Sequence, residues 1–206
     1  IARRQRQMCI RDRSYPKIVK ECLDKGWELM GHGFTQRVIN VEPDEREVIR
    51  RTINTIKDFS GVPPRGWMGP GLAETFDTPD ILAEEGIEYV CDWCNDDQPY
   101  PMNVKSGELV SVPYTLELND IPIYLVQHHR SPELFHRAKD QFDTLYKEGS
   151  ESARVMAIST HPYITGVPHR IGYFDQIFEY ISQFQGVSFM TGSEILDWYK
   201  SETANQ

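Results

Sequence analysis

A chain of 206 residues, 39% hydrophobic and 11% aromatic, can bury one sizeable core and is too apolar for a disordered segment. Its formal net charge of −9, with acids and bases mixed, argues against nucleic acid, which requires a basic face. The longest apolar runs, such as Val155–Ile158, are far too short to cross a bilayer, so no membrane partner is expected.

Residues 1–13 hold five of the chain's 22 Lys and Arg and show no periodicity. Met8-Cys9-Ile10-Arg11-Asp12-Arg13 resembles translated sequencing-adapter read-through. Residues 1–13 are therefore expected to be non-native and to stand outside the fold, with the native chain beginning near Ser14. Ile18, Val19, Cys22 and Leu23 then make one helical face, closed by Gly26. Trp27–Gly31 reads as a strand leading to His32. Pro43–Phe59 carries apolar residues at helical spacing, with Gly61 as its stop. Arg65–Met68 is expected to be a strand, and Thr78–Glu85 a short helix with Thr78 as N-cap and Pro79 in the first turn.

Ile87–Asp92 reads as a strand, and residues 95–131 as irregular chain with short strands near Leu109–Val112 and Ile121–Val126. Pro132–Glu148 is expected to be a helix with Leu134, Ala138, Phe142 and Leu145 inward. A buried strand, Arg154–Ser159, should run into Thr160-His161-Pro162. A helix at Ile171–Phe184, a strand at Val187–Met190 and a closing helix at Ser193–Lys200 complete the pattern.

Cys91-Asp92-Trp93-Cys94 has C-x-x-C spacing, but no second pair exists to complete a zinc knuckle, so ordinary reduced thiols and a cytoplasmic location are expected. His128 and His129 are neighbours on an expected extended chain, where side chains point apart, which argues against a metal pair. No Gly-x-Gly-x-x-Gly or Walker loop follows any strand, which lowers a nucleotide-binding reading.

Strand–helix alternation specifies an α/β fold with parallel strands, as an open doubly wound sheet or as a barrel. Polar residues repeatedly follow strand ends: His32, Trp67, Asp92 to Asp97, and His161. In such folds the carboxyl ends of the strands form one rim where chemistry gathers, so these residues are expected to converge on one hollow.

Four segments together resemble the polysaccharide deacetylase (NodB-homology, carbohydrate esterase family 4-like) superfamily. Gly31-His32-Gly33-Phe34-Thr35-Gln36 is similar to its metal motif, in which a second histidine follows the first by four residues. Pro64-Arg65-Gly66-Trp67 resembles its arginine- and aromatic-bearing strand end. Asp92-Trp93 with Asp96-Asp97-Gln98-Pro99-Tyr100 resembles the next motif. Thr160-His161-Pro162 resembles the last, whose histidine is the general acid. Val112-Pro113-Tyr114-Thr115-Leu116-Glu117-Leu118-Asn119-Asp120 and Asp140–Tyr146 are similar to the metal-independent allantoinase-like branch.

The likeness runs from Gly26 to Tyr199 and implies a distorted (β/α) barrel, with its first strand or two upstream of residue 1. On that view residues 14–206 are an incomplete catalytic domain. Two departures stand out. Gln36 occupies the second histidine position, and a neutral amide is a poor zinc ligand; the motif that supplies an aspartate base is absent. The cofactor is then either none or a single divalent metal such as zinc, with His32 the candidate ligand.

The resulting expectation is a hydrolase of a non-peptide carbon–nitrogen bond, acting on a small ureide or an N-acetylated sugar, with homo-oligomers left open. His161 would protonate the departing nitrogen, and Asp96 and Asp97 would polarise water or orient N–H groups. Gln36, Trp67 and Asp92 are candidate substrate contacts, joined through the resemblance by Tyr114 and Asn119. The alternative is a non-catalytic glycan- or metabolite-binding relative, which loss of the second histidine motivates.

Overall fold

The computed structural model describes residues 5–8 and 15–204. They fall into two compact units, the first comprising Ile1–Trp93, Pro99–Val112 and Phe189–Gln206, the second Cys94–Gln98 and Pro113–Ser188.

The first unit is built on a six-stranded sheet. Its strands are β1 (Gln5–Met8), β2 (Glu28–Gly31), β3 (Gly66–Trp67), β4 (Tyr89–Val90), β5 (Tyr100–Pro101) and β6 (Val110–Ser111), in the order β1-β2-β3-β4-β6-β5. All neighbours are parallel except β5, which runs antiparallel to β6. Gln5–Met8, within the segment expected to be non-native, pairs its backbone with Glu28–Gly31. Strand pairing uses only main-chain groups, which any non-proline sequence offers. The remainder of that segment, Cys9 included, lies outside the described residues.

Helix α1 (Pro16–Asp24) buries Val19 and Cys22, and α2 (Glu45–Ser60) buries Ile49, Thr52, Ile53 and Ile56. The ends of α2 are chemically marked. Asp44 accepts the Glu47 N–H at its start, and Gly61 ends it in the left-handed conformation at φ 85°. Ile49 and Ile53 meet Trp67, Leu82, Ile87, Val90 and Leu109 in the larger core cluster, whereas Ile56 packs with Val19 and Leu29 in a smaller one. Helix α3 (Thr78–Glu84) has Asp77, not Thr78, at its N-cap position, with no side-chain capping bond; the Thr78 hydroxyl donates to Glu45.

Helix α6 (Gly192–Thr203) closes the unit. Thr191 and Glu194 form a capping box at its start, and its first turn docks on Glu28, whose carboxylate accepts the Ser193 N–H and the hydroxyls of Ser193 and Tyr89. The fully buried Tyr89 ring leaves no room for a side chain at Gly66 or Gly192, where an added Cβ would lie 2.1 and 2.4 Å from it. Arg65, at the opening of β3, pairs with Glu88 and Asp197 and so holds α6 to the sheet; it is a structural ion pair.

The second unit contains α4 (Glu133–Glu148) and α5 (Pro168–Ile181). Leu134, Ala138, Phe142 and Leu145 are buried on α4, as expected, and Phe142 stacks into a group with Tyr146, Tyr180 and Phe184. Ile121–Val126, expected as a strand, is a π-helical turn with Pro122 in its first turn. Its entry is set by Asn119, whose side-chain oxygen accepts the Ile121 N–H at 2.9 Å. Arg154–Ser159 is not a buried strand either. It is half-buried chain that makes one isolated parallel bridge, Ser159 to Asn119. Val187–Met190 likewise forms no ladder. Among the described residues no helix is long and apolar enough to cross a membrane.

Candidate active site

In the first unit, Gly31, Trp67 and Val90 are aligned across β2, β3 and β4. The residues that follow them, from His32, Met68 and Cys91 onward, therefore leave the sheet together at its carboxyl ends. His32 is half-buried, and its Nδ1 lies 2.6 Å from the Met68 carbonyl. A carbonyl only accepts, so Nδ1 carries the proton and Nε2 is the acceptor nitrogen of the neutral ring. Gln36 is exposed four residues on. Among the described residues no group of three or more His, Cys, Asp or Glu is arranged to hold a metal ion.

Trp67 is a candidate substrate contact by sequence. Its ring is fully buried in the larger core cluster, yet its indole N–H has no hydrogen-bond partner. Asp92, two residues past β4, is also buried and accepts the Gly69 N–H through Oδ1 at 2.8 Å. Its other oxygen, Oδ2, faces Glu74, and no N–H or O–H donor makes a hydrogen bond of ordinary geometry to Oδ2 or to either Glu74 oxygen. The Trp93 indole lies near Glu74 and favours its charged form, but is not aligned to bond it.

A proton shared between the two carboxyls would satisfy both. Burial, and then the Glu74 charge, hold the Asp92 carboxyl well above the usual carboxylate range, with the Gly69 N–H opposing. Glu74 is raised as well, by burial first; the neighbouring Asp92 carboxyl and Trp93 indole oppose this, and the Glu45 charge adds to it. Asp92 thus grips both ends of the Gly69–Glu74 loop.

In the second unit, the bridge between Asn119 and Ser159 brings two chain segments side by side. Ser159 N–H bonds the Leu118 carbonyl at 2.9 Å and Asp120 N–H the Ser159 carbonyl at 3.2 Å. Just beyond the bridge lie Asp120 on one segment and His161, two residues past Ser159, on the other. Asp120 is fully buried and its carboxylate takes three donors. Oδ1 lies 2.6 Å from His161 Nδ1; Oδ2 accepts the His161 backbone N–H and the Thr165 hydroxyl, each at 2.7 Å. A carboxylate only accepts, so Nδ1 carries a proton and Nε2 is left to exchange one. The His161 side chain is 31% exposed, enough to meet a substrate.

The other expected residues of this unit have quieter roles. Asn119 spends its oxygen on the π-helical turn and its amide N–H on the Tyr114 hydroxyl at 2.9 Å, which accounts for both as structural. Asp96 is exposed and accepts the Gln98 N–H at 2.9 Å, as a turn former does. Asp97 is half-buried and raised above the ordinary carboxylate range by burial, then by the Asp96 and Glu148 charges, against the pull of Arg154. His129 contacts Arg137 at 3.0 Å and lies 3.8 Å from Glu133, as part of an exposed ionic group.

Asp120, Thr165 and Glu74 were not among the residues expected from sequence. Asp120 carries no periodicity signal; the one available hint was its place at the end of the Val112–Asp120 string. Thr165 and Glu74 offered none.

No protein-family model matches the chain. A Schizosaccharomyces pombe protein assigned as a polysaccharide deacetylase is 32% identical over 203 residues, covering 87% of this chain; the chain spans 62% of that protein's length. A peptidoglycan deacetylase of Helicobacter pylori is 24% identical over 219 residues, covering 89% of this chain and 74% of its own. Among solved structures, the Puue allantoinase matches with TM-score 0.85 and 25% identity, over 95% of this chain and 68% of its own. The α/β fold expected from strand–helix alternation is the one these proteins share. By sequence and by fold the chain is similar to members of the polysaccharide deacetylase (NodB-homology, carbohydrate esterase family 4-like) superfamily.

Proposed function

We propose that the chain carries part of a hydrolase that cleaves a non-peptide carbon–nitrogen bond, an amide or a cyclic ureide, in the allantoinase-like branch of its superfamily. The observation that carries this is the His161–Asp120 pair: an imidazole half-open to solvent, its inner nitrogen fixed by a fully buried carboxylate. A departing amide nitrogen is too basic to leave as an anion and must be protonated as the bond breaks. Nε2 of His161 supplies that proton, and the positive charge the ring holds beforehand is stabilised by Asp120.

The substrate classes we favour are allantoin-like ureides and N-acetylated sugars. They follow the names of relatives: a peptidoglycan deacetylase and a polysaccharide deacetylase by sequence, an allantoinase by structure. The test is hydrolysis of allantoin and of N-acetylglucosamine oligomers by wild type and His161→Ala. Turnover should fall by about 10²-fold or more in the variant; an undiminished rate would remove His161 from the mechanism. A second reading, a non-catalytic glycan- or metabolite-binding relative, draws on the exposed amide of Gln36 where a second histidine would stand. Saturable binding of the same compounds without product formation would favour it.

A further inference from the structure

We propose that Thr165 is a positioning residue for the His161–Asp120 pair: its buried hydroxyl fixes the carboxylate that orients and charges the imidazole. The proposal rests on the hydrolase reading for its kinetic consequence, but not for its structural one.

The geometry is local to one turn. From His161 the chain doubles back, with the Ile164 and Thr165 N–H groups both bonding the His161 carbonyl, at 2.9 and 3.0 Å, and the Gly166 N–H bonding the Pro162 carbonyl at 3.0 Å. An added Cβ at Gly166 would lie 2.3 Å from that same carbonyl oxygen, so the turn closes this tightly only around glycine. Arg170, from α5, braces it by donating to the Ile164 carbonyl at 3.1 Å while stacking over Tyr124 at 4.4 Å. The result is a threonine 3% exposed, held against the fully buried Asp120 with its hydroxyl 2.7 Å from Oδ2.

That hydroxyl does more than fill a hydrogen bond. The His161 backbone N–H and Thr165 Oγ1–H together occupy Oδ2, so the carboxylate cannot rotate to offer that oxygen to the ring. Oδ1 alone is presented to Nδ1, which sets the tautomer and the ring plane. The hydroxyl also draws negative charge toward Oδ2. Without it the charge concentrates on Oδ1, the imidazolium is held more tightly, and the ring releases its proton less readily. A threonine whose role were merely packing would do neither.

The experiment compares Thr165→Val, which keeps the shape and loses the hydroxyl, with Thr165→Ser, which keeps the hydroxyl and loses the methyl. Thr55→Val is the control, an exposed threonine bonded only to the Arg51 carbonyl of its own helix. We expect Thr165→Val to lower kcat about tenfold with KM little changed, the scale of one hydrogen bond to a charged group. The high-pH limb of its kcat profile should move upward, and Thr165→Ser and Thr55→Val should behave as wild type. The imidazole ¹⁵N spectrum, followed against pH, reads the His161 tautomer and titration without any substrate. A Thr165→Val spectrum and titration identical to wild type would overturn the proposal even if the enzyme were active. A shifted titration in a protein that hydrolyses nothing would sustain the positioning role and sink the hydrolase reading instead. If Thr165→Val fails to fold, Thr165→Ala carries the same readouts.

Discussion

Two buried aspartates invite comparison, one in each unit. Asp120 is fully enclosed and every oxygen of its carboxylate meets donors: a backbone N–H, a hydroxyl and an imidazole N–H. Asp92 is enclosed nearly as well, yet receives one backbone N–H and otherwise faces a second acid, Glu74. The same side chain at similar burial therefore meets three donors in one place and a second acid in the other. Burial alone does not decide the chemistry of a carboxyl; the count and kind of donors around it do.

The sharpest way to break that contrast is at Asp120. Asp120→Asn keeps the shape but turns an acceptor toward a donor, so that His161 must present its other tautomer or lose the bond. We expect kcat for ureide or N-acetyl hydrolysis to fall by about 10²-fold or more, as far as His161→Ala lowers it. The two substitutions together should cost no more than either alone, because they disable one unit. A double variant much slower than both singles would separate the residues.

Stability should split the two acids next. Asp120→Ala strands three donors in a buried site and is expected to cost about 3–5 kcal/mol in urea unfolding. Asp92→Ala strands only the Gly69 N–H and relieves a carboxyl pair; its cost should stay below about 2 kcal/mol. Equal losses would mean that the donor inventory is not what distinguishes them.

How far this was legible in the sequence differs between fold and site. Helices announced themselves: Asp44 and Gly61 bracket α2, and all four inward residues expected on α4 are buried. Local signals of capping and 3.6-residue spacing suffice there. Strands were harder, because β3, β4 and β6 pair over two residues each, too short for alternation to register. Ile121–Val126 reads as a strand by its apolar, branched run, and only the cap from Asn119 and the Pro122 ring tip it into a π-helical turn. At the site, His161 could be flagged by its place after an apolar run. Its partner Asp120 lies 41 residues earlier, joined through a single parallel bridge, a relation that no pattern of spacing encodes. The carboxyl pair was invisible for the same reason: Glu74 sits in a loop without periodicity, and its meeting with Asp92 depends on how that loop folds back. Trp67, whose place near a strand end left substrate contact and core equally open, has its ring in the core.

The smallest expected effect is a pH dependence, and it has a definite sign. Folding raises the Asp92 carboxyl above its unfolded value of about 3.9. A raised group binds its proton more tightly when folded, so its stabilising contribution is complete below the unfolded value and is lost as pH rises through the folded one. Asp92→Asn removes this titration while its amide still accepts the Gly69 N–H and donates to Glu74. Against wild type, the variant should therefore gain stability progressively as pH is raised from about 4 toward 8 in parallel thermal melts. Glu74→Gln should behave alike but more weakly, because its acid is the less enclosed of the two and Trp93 already favours its charge. The acid pairs elsewhere, such as Glu88 and Asp197 on Arg65, are held below the ordinary range and lose their contribution as pH falls. They are common to both proteins and cancel in the difference. A difference between Asp92→Asn and wild type that stayed flat across this range would show that no proton is shared at Asp92, and the two aspartates would then be alike after all.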